Sequence, residues 1–153
     1  MEDLSLHILD VVENSIEANA SKIKIKINED IKKDILIIEI KDNGKGMDEE
    51  TLKIVTDPFY TTRTTRNVGL GLSLLVQATK ESNGNFEIKS KINKGTEIKA
   101  TFQYSHIDRK PLGDIKNTLM TLMIAHPEIN FIYEYQDAEN KYYLDTNEII
   151  KNV

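Results

Sequence analysis

Cysteine is missing from this 153-residue sequence, and so is any apolar stretch near the ~20 residues that a membrane helix requires. The first absence excludes disulfides, thiolate metal sites and cysteine nucleophiles. The N-terminus, MEDLSLHILD, begins with acidic residues and lacks the apolar run of a signal peptide. We therefore expect a cytoplasmic protein with no membrane partner.

An excess of positive charge is also missing. Lysine and arginine number 20 against 25 acidic residues, for a formal net charge of −5. Such a chain is a poor candidate for binding nucleic acid, although its net charge is compatible with a local basic pocket for phosphate. Apolar residues make up 39% and charged residues 29%, which is typical of a globular protein that can bury a core.

Two kinds of periodicity organise the first two thirds of the chain. Apolar residues recur every three or four positions at 4–20 and 70–83, which predicts helices, while 22–28 alternates strictly and predicts a strand. Asp48 can cap a short helix that runs to about Val55. Further strands are predicted at 35–41, 85–90 and 96–104, and a long loop at 57–69. This order predicts an α+β fold, a two-layer sandwich whose mixed, mostly antiparallel sheet has its helices on one face.

Residues 105–153 form a second predicted segment, an appendage packed on or beside residues 1–104. Pro111 is expected to open a helix, 131–144 to form a hairpin, and Asp145 with Glu148 to cap a short final helix. Aromatic residues cluster in this segment. They predict a partner-recognition patch or, equally, a surface that caps the sheet or builds a homodimer.

Asp10 and Asn14 lie one turn apart on the first helix, so their side chains project to the same side. The amide oxygen of Asn14 suits Mg²⁺, which prefers oxygen ligands and keeps waters and phosphates around one or two protein groups. A carboxylate one turn away can orient a water or accept a proton, which makes Asp10 the candidate catalytic base. The alternative is that both are ordinary solvated residues of an amphipathic helix.

The run Asp42-Asn43-Gly44-Lys45-Gly46 follows a predicted buried strand. A carboxylate at a strand end can accept a hydrogen bond from an exocyclic amine, and glycines let the backbone approach a flat ring closely. Asp42 is therefore the candidate for base recognition. A plain turn is the alternative, since Asn-Gly is among the commonest turn pairs.

The run Asn67-Val68-Gly69-Leu70-Gly71-Leu72 opens a predicted helix. Free backbone N–H groups at a helix start form an anion site, and Arg63 and Arg66 just upstream can meet phosphate oxygens. The alternative is a polar loop with two solvated arginines. The chain has no GxxxxGK[ST] and no GxGxxG after a first strand, which argues against a P-loop and a Rossmann site.

Together, in this order and spacing, these stretches resemble the GHKL superfamily of Bergerat-fold ATPases and kinases over roughly residues 4–104. The matching segments are HILDVVENSIEANAS (7–21), DNGKGM (42–47), DPFYTTR (57–63), NVGLGLSL (67–74) and the Gly95-Thr96 pair. The first is similar to MutL proteins, whereas the PFYTTR and GLGLSL parts look more like histidine kinases.

The resemblance implies binding of ATP or ADP with Mg²⁺. It assigns Asn14 to the metal and Asp42 to the adenine amine. The other implied roles are a base pocket lined by Gly44, Gly46 and Met47, a lid anchored by Phe59, phosphates held by Gly69, Leu70 and Gly71, and Thr96 beneath the adenine beside Asp42.

Two departures from the family pattern bear on catalysis. Members that hydrolyse ATP typically have Glu four residues before the magnesium-binding Asn, where this chain has the shorter Asp10, so we expect slow hydrolysis. Sensor kinases need a phospho-acceptor histidine in an upstream helical hairpin. We do not expect that hairpin here, because only six residues precede His7.

The favoured hypothesis is an ATP-dependent protein kinase, or a slow ATPase, that acts on a separate protein. The alternative is a non-catalytic ATP-sensing module whose lid controls binding of a regulatory partner. A dimeric ATPase similar to MutL or gyrase is a weaker alternative, because the last 49 residues are too short for a transducer domain.

Overall fold

A computed structural model describes residues 3–55 and 70–151 of the chain. Its elements, in chain order, are α1 (Leu4–Glu17), β1 (Lys22–Asp30), β2 (Ile35–Asp42), α2 (Glu49–Val55), α3 (Leu70–Glu81), β3 (Asn85–Lys91), β4 (Gly95–Gln103), α4 (Ile115–Ala125), β5 (Asn130–Gln136), β6 (Lys141–Asp145) and α5 (Thr146–Lys151). No helix within these ranges is long and apolar enough to cross a membrane.

The strands form a six-stranded sheet in the order β3-β4-β2-β1-β5-β6. Neighbouring strands are antiparallel except for β1 and β5, which are parallel. The predicted α+β architecture with a mixed, mostly antiparallel sheet is therefore confirmed.

Strict alternation along β1 gives the sheet one covered face. Ile23, Ile25 and Ile27 are fully buried, while the lysines between them point to the opposite face. The buried isoleucines pack in one hydrophobic cluster with α1, α3 and α4. Because side chains of neighbouring strands in register share a face, β2 and β4 extend the same apolar surface.

Two predicted helix ends differ from the structure for the same reason. The first helix ends at Glu17 rather than Ala20, because Asn19 has a left-handed φ of +62° and the N–H of Ala20 bonds back to the carbonyl of Ser15. At the end of α3 the left-handed residue is Asn83 (φ +55°), and Gly84 follows it. Gly84 is required there because a Cβ would lie 1.7 Å from the Thr101 carbonyl oxygen.

The C-terminal segment shares the sheet and the core of the preceding residues. β5 lies beside β1 in register, so Phe131 pairs with Ile23 and Tyr133 with Ile25, and both aromatic side chains are buried. The five clustered aromatic residues are Phe131, Tyr133, Tyr135, Tyr142 and Tyr143. Of these, only Tyr143 is well exposed, at 53%. The division at 104/105 and the partner-recognition role remain predictions.

The helix predicted to open at Pro111 begins instead at Ile115. Gly113 has a φ of +80°, which a right-handed α-helix does not accommodate. Asp114, the next residue, is the N-cap, and its carboxylate accepts from the N–H of Asn117. The predicted hairpin and final helix are confirmed, and the Asp145 carboxylate accepts from the N–H of Asn147 at the start of α5.

Candidate functional site

A cavity of about 620 Å³ lies between α1, the ends of β2 and β4, and the turn after β2. Apolar side chains form much of its wall, which suits a flat aromatic ring. They are Val11, Ile40, Met47, Leu72, Ile92 and Ile98. Among the residues predicted from sequence, the cavity is lined by Asn14, Asp42, Gly46, Met47 and Thr96.

Asp42 presents a fixed carboxylate to this cavity. Its Oδ1 accepts from the backbone N–H of Gly44 (2.8 Å) and of Thr96 (3.3 Å), and its Oδ2 accepts from the hydroxyl of Ser15 (2.6 Å). A carboxylate offers about four acceptor positions. The described residues fill three of them, which leaves one on Oδ2 for a donor inside the cavity.

Ser15 was missed from the sequence although it orients Asp42. It is only 4% exposed and lies on the stripe of α1 that also buries Val11 and Val12. The signal that was available is a small hydroxyl residue on the apolar face of an amphipathic helix, where a buried O–H requires a partner. That partner, Asp42, is 27 positions away along the chain.

Asn43 fastens the turn to the junction of α1 and β1. Its Oδ1 accepts from the N–H groups of Ser21 (2.9 Å) and Lys22 (3.0 Å), and its Nδ2 donates to the Ser21 hydroxyl. The N–H of Lys45 also donates to the carbonyl of Ala18. The turn that follows Asp42 is therefore held rigidly against the helix that provides Ser15 and Asn14.

The two glycines of the turn are required for packing within the protein. A Cβ on Gly44 would lie 2.9 Å from both the Cβ and the carbonyl oxygen of Ala18, and Gly44 does not line the cavity. Gly46 has a φ of +69°, and a Cβ there would lie 1.9 Å from the Lys91 carbonyl oxygen. Both glycines let the turn lie close to its neighbours, so the space that Asp42 faces remains open.

Asn14 and Asp10 are placed differently in the structure. Asn14 is half-buried and lines the cavity. Glu17, one turn later, is exposed and also lines the cavity, whereas Asp10 is exposed and is not among the lining residues. Within residues 3–55 and 70–151, no group of three or more His, Cys, Asp or Glu residues could hold a metal ion. The donor set fits Mg²⁺, which takes one or two protein oxygens and completes its shell with phosphates and water.

Asp48 adds a negative charge to the cavity rim. The backbone N–H and the hydroxyl of Thr51 stabilise its ionised form, so the pKa of this carboxyl lies below its usual value. The same backbone bond, 2.8 Å long, makes Asp48 the N-cap of α2, as predicted. Both residues line the cavity.

Several predicted residues fall on or beside the part of the chain that the structure does not describe. Phe59, Arg63, Arg66 and Gly69 lie outside the described residues. Leu70 and Gly71 are the first two residues of α3. The lid and the phosphate contacts therefore remain predictions.

Comparison with known proteins places the chain in a family. Residues 2–106 match the model of the histidine kinase-, DNA gyrase B- and HSP90-like ATPases. A putative sensor protein of Shewanella frigidimarina is 37% identical over 103 residues, which is 66% of this chain and 16% of that protein. The histidine-protein kinase ArlS of Staphylococcus aureus is 36% identical over 96 residues, or 60% of this chain and 21% of ArlS.

The chain thus spans about a fifth or less of the length of these curated relatives. The Aquifex aeolicus MutL ATPase domain, complexed with ADP, has a similar fold. Its TM-score is 0.58 at 17% identity, over 94% of this chain and 62% of the MutL chain. The protein therefore belongs to the histidine kinase-, DNA gyrase B- and HSP90-like ATPases, and its cavity lies in a GHKL ATP-binding domain.

Proposed function

We propose that the cavity binds ATP or ADP with Mg²⁺ and that the domain transfers the γ-phosphoryl group to a separate protein or slowly to water. The observation that carries this proposal is the Asp42 carboxylate, which Ser15, Gly44 and Thr96 hold with one acceptor position left in the cavity. An exocyclic amine of adenine fills that position. The carbonyl oxygen of guanine there would place two acceptors against each other.

The remaining roles follow from the positions of the side chains. Asn14 is the candidate protein ligand for magnesium, with Glu17 one turn away on the same face. The metal would neutralise charge on the phosphates. The residues of this chain bind the base, exclude water with an apolar wall, and orient the nucleotide towards the N-terminus of α3.

Isothermal titration in the presence of magnesium tests this function. We expect ATP and ADP to bind and GTP to bind at least about tenfold more weakly, because one buried acceptor without a partner costs ~1–3 kcal/mol. Equal affinity for GTP, or no heat with any nucleotide, would show that the cavity has a different ligand.

A second candidate function is a non-catalytic ATP sensor that controls a regulatory partner. It is favoured by Asp10, which is exposed and does not line the cavity. Catalytic geometry is sensitive at the scale of one bond, since a misplacement of ~1 Å can cost about 100-fold in rate. Asp10 nevertheless remains the candidate base, because it lies one turn from Asn14.

Substitution of Asp10 separates the two candidates. If Asp10 is the base, Asp10→Asn should lower phosphate release or transfer from labelled ATP by about 100-fold or more, with ATP affinity unchanged. Asp10→Glu should raise turnover if the length of the side chain is limiting. Glu13→Gln is the matched control, since Glu13 is exposed on the same helix about 100° from Asn14.

The outcomes are distinct. Full turnover in Asp10→Asn would place the base elsewhere in the protein. Bound ATP with no turnover in the wild type or in Asp10→Glu would favour the sensor.

A further inference from the structure

A row of three polar side chains crosses the end of the sheet at the cavity. Asp42 of β2 pairs in register with Thr96 of β4, and Thr96 pairs with Ser90 of β3. Paired residues share a face of the sheet, so all three point to the side of the helices. Asp42 and Thr96 line the cavity, whereas Ser90 contacts the hydroxyl of Thr96 at 2.8 Å and is not itself a lining residue.

Ser90 has three partners that together use its whole hydrogen-bonding capacity. A hydroxyl has one proton to donate and two lone pairs that accept. Ser90 Oγ accepts from the N–H of Met47 at 2.8 Å and lies 3.1 Å from the carbonyl oxygen of Gly95, which can only accept. The third partner is the Thr96 hydroxyl, for which either oxygen can be the donor.

Counting protons distinguishes the two possible arrangements. If Ser90 donates to Gly95, Thr96 donates to Ser90 and all three contacts are hydrogen bonds. If Ser90 donates to Thr96, the bond to Gly95 is lost and only two remain. Gly95 is a buried residue, whereas Ser90 and Thr96 are partly buried. Because buried polar groups are satisfied wherever geometry allows, the arrangement that keeps the bond to the Gly95 carbonyl is favoured. Thr96 then turns its lone pairs, and not its proton, towards the cavity.

We propose that Ser90 is a positioning residue that holds the Thr96 hydroxyl as an acceptor and so makes the cavity select a purine with an amino group at C6. This inference rests on the proposed function, in which a purine nucleotide occupies the cavity. Beside the Asp42 carboxylate, Thr96 supplies a second acceptor, and an amino group carries two N–H donors. A carbonyl oxygen at C6 would face lone pairs from both residues and remain unpaired.

Affinities for ATP and ITP test the proposal, because hypoxanthine has a carbonyl oxygen where adenine has the amino group. We expect Ser90→Ala to lower the ratio of the Kd for ITP to the Kd for ATP by about tenfold. Without Ser90, the Thr96 hydroxyl can donate to the C6 carbonyl while Asp42 accepts from N1–H of hypoxanthine. The N–H of Met47 also loses its acceptor, which weakens both nucleotides alike and cancels in the ratio.

Two further variants separate this role from a structural one. Ser90→Thr retains a hydroxyl and should keep the wild-type ratio. In a Thr96→Val background, which preserves the backbone N–H to Asp42, Ser90→Ala should leave the ratio unchanged. The inference is overturned if Ser90→Ala alone leaves the ratio unchanged, or if Ser90→Ala lowers the ratio equally in the Thr96→Val background. The proposed binding of ATP is not contradicted by either result. A wild-type protein that binds neither nucleotide overturns both the inference and the proposed function.

Discussion

Asp42→Asn should weaken ATP binding by at least about tenfold and leave the fold intact. The asparagine side chain can still accept from Gly44 and Thr96 through its oxygen, while its amide nitrogen faces Ser15 and the cavity. The acceptor for the adenine amine is then replaced by a donor. A buried amine that loses its partner costs ~1–3 kcal/mol, and because two donors then face each other we expect a loss of at least ~1.4 kcal/mol, which is tenfold in Kd. Isothermal titration with ATP and magnesium measures the change.

Asp108→Asn is the control for the loss of one negative charge. Asp108 is exposed and does not line the cavity, so its substitution should not change ATP affinity measurably. Circular dichroism of both variants should match the wild type. If Asp42→Asn bound ATP as tightly as Asp108→Asn, adenine recognition would have to depend on other groups.

Phe131→Ala should lower the free energy of unfolding by about 3–5 kcal/mol, although Phe131 lies outside the segment that the family model matches. Its side chain is fully buried, and the residue pairs with Ile23 of β1 and belongs to the hydrophobic core cluster of the described residues. The loss combines the removed apolar contacts with the cavity left behind. A typical domain is stable by ~5–15 kcal/mol, so much of the stability would be lost. Urea unfolding followed by circular dichroism measures it.

Tyr143→Ala is the matched control, an aromatic deletion in the same C-terminal segment. Tyr143 is 53% exposed, so its removal should change stability by only about 0.5 kcal/mol. If both substitutions changed the free energy of unfolding by equally small amounts, residues 105–153 would contribute little to the shared core. The predicted division into residues 1–104 and 105–153 would then describe two independent parts.

Hydrophobic periodicity made the fold class predictable from sequence. The strict alternation of β1 and the helical spacing of α1 and α3 are local patterns, so they identify an element without knowledge of its neighbours. Helix ends were less predictable. They depend on single left-handed residues such as Asn19 and Asn83, and Asn adopts that conformation in only some contexts.

The sequence by itself determined the family and predicted Asn14, Asp42 and Thr96 as site residues, because their spacing within short motifs is a local property. Only the tertiary structure decided that Ser15 and Ser90 contact Asp42 and Thr96, that Gly44 and Gly46 are required by backbone packing, and that β5 extends the sheet at β1. These contacts join positions far apart in the chain, such as Ile23 and Phe131. Their formation depends on the total energy of the packed molecule, which no local pattern encodes.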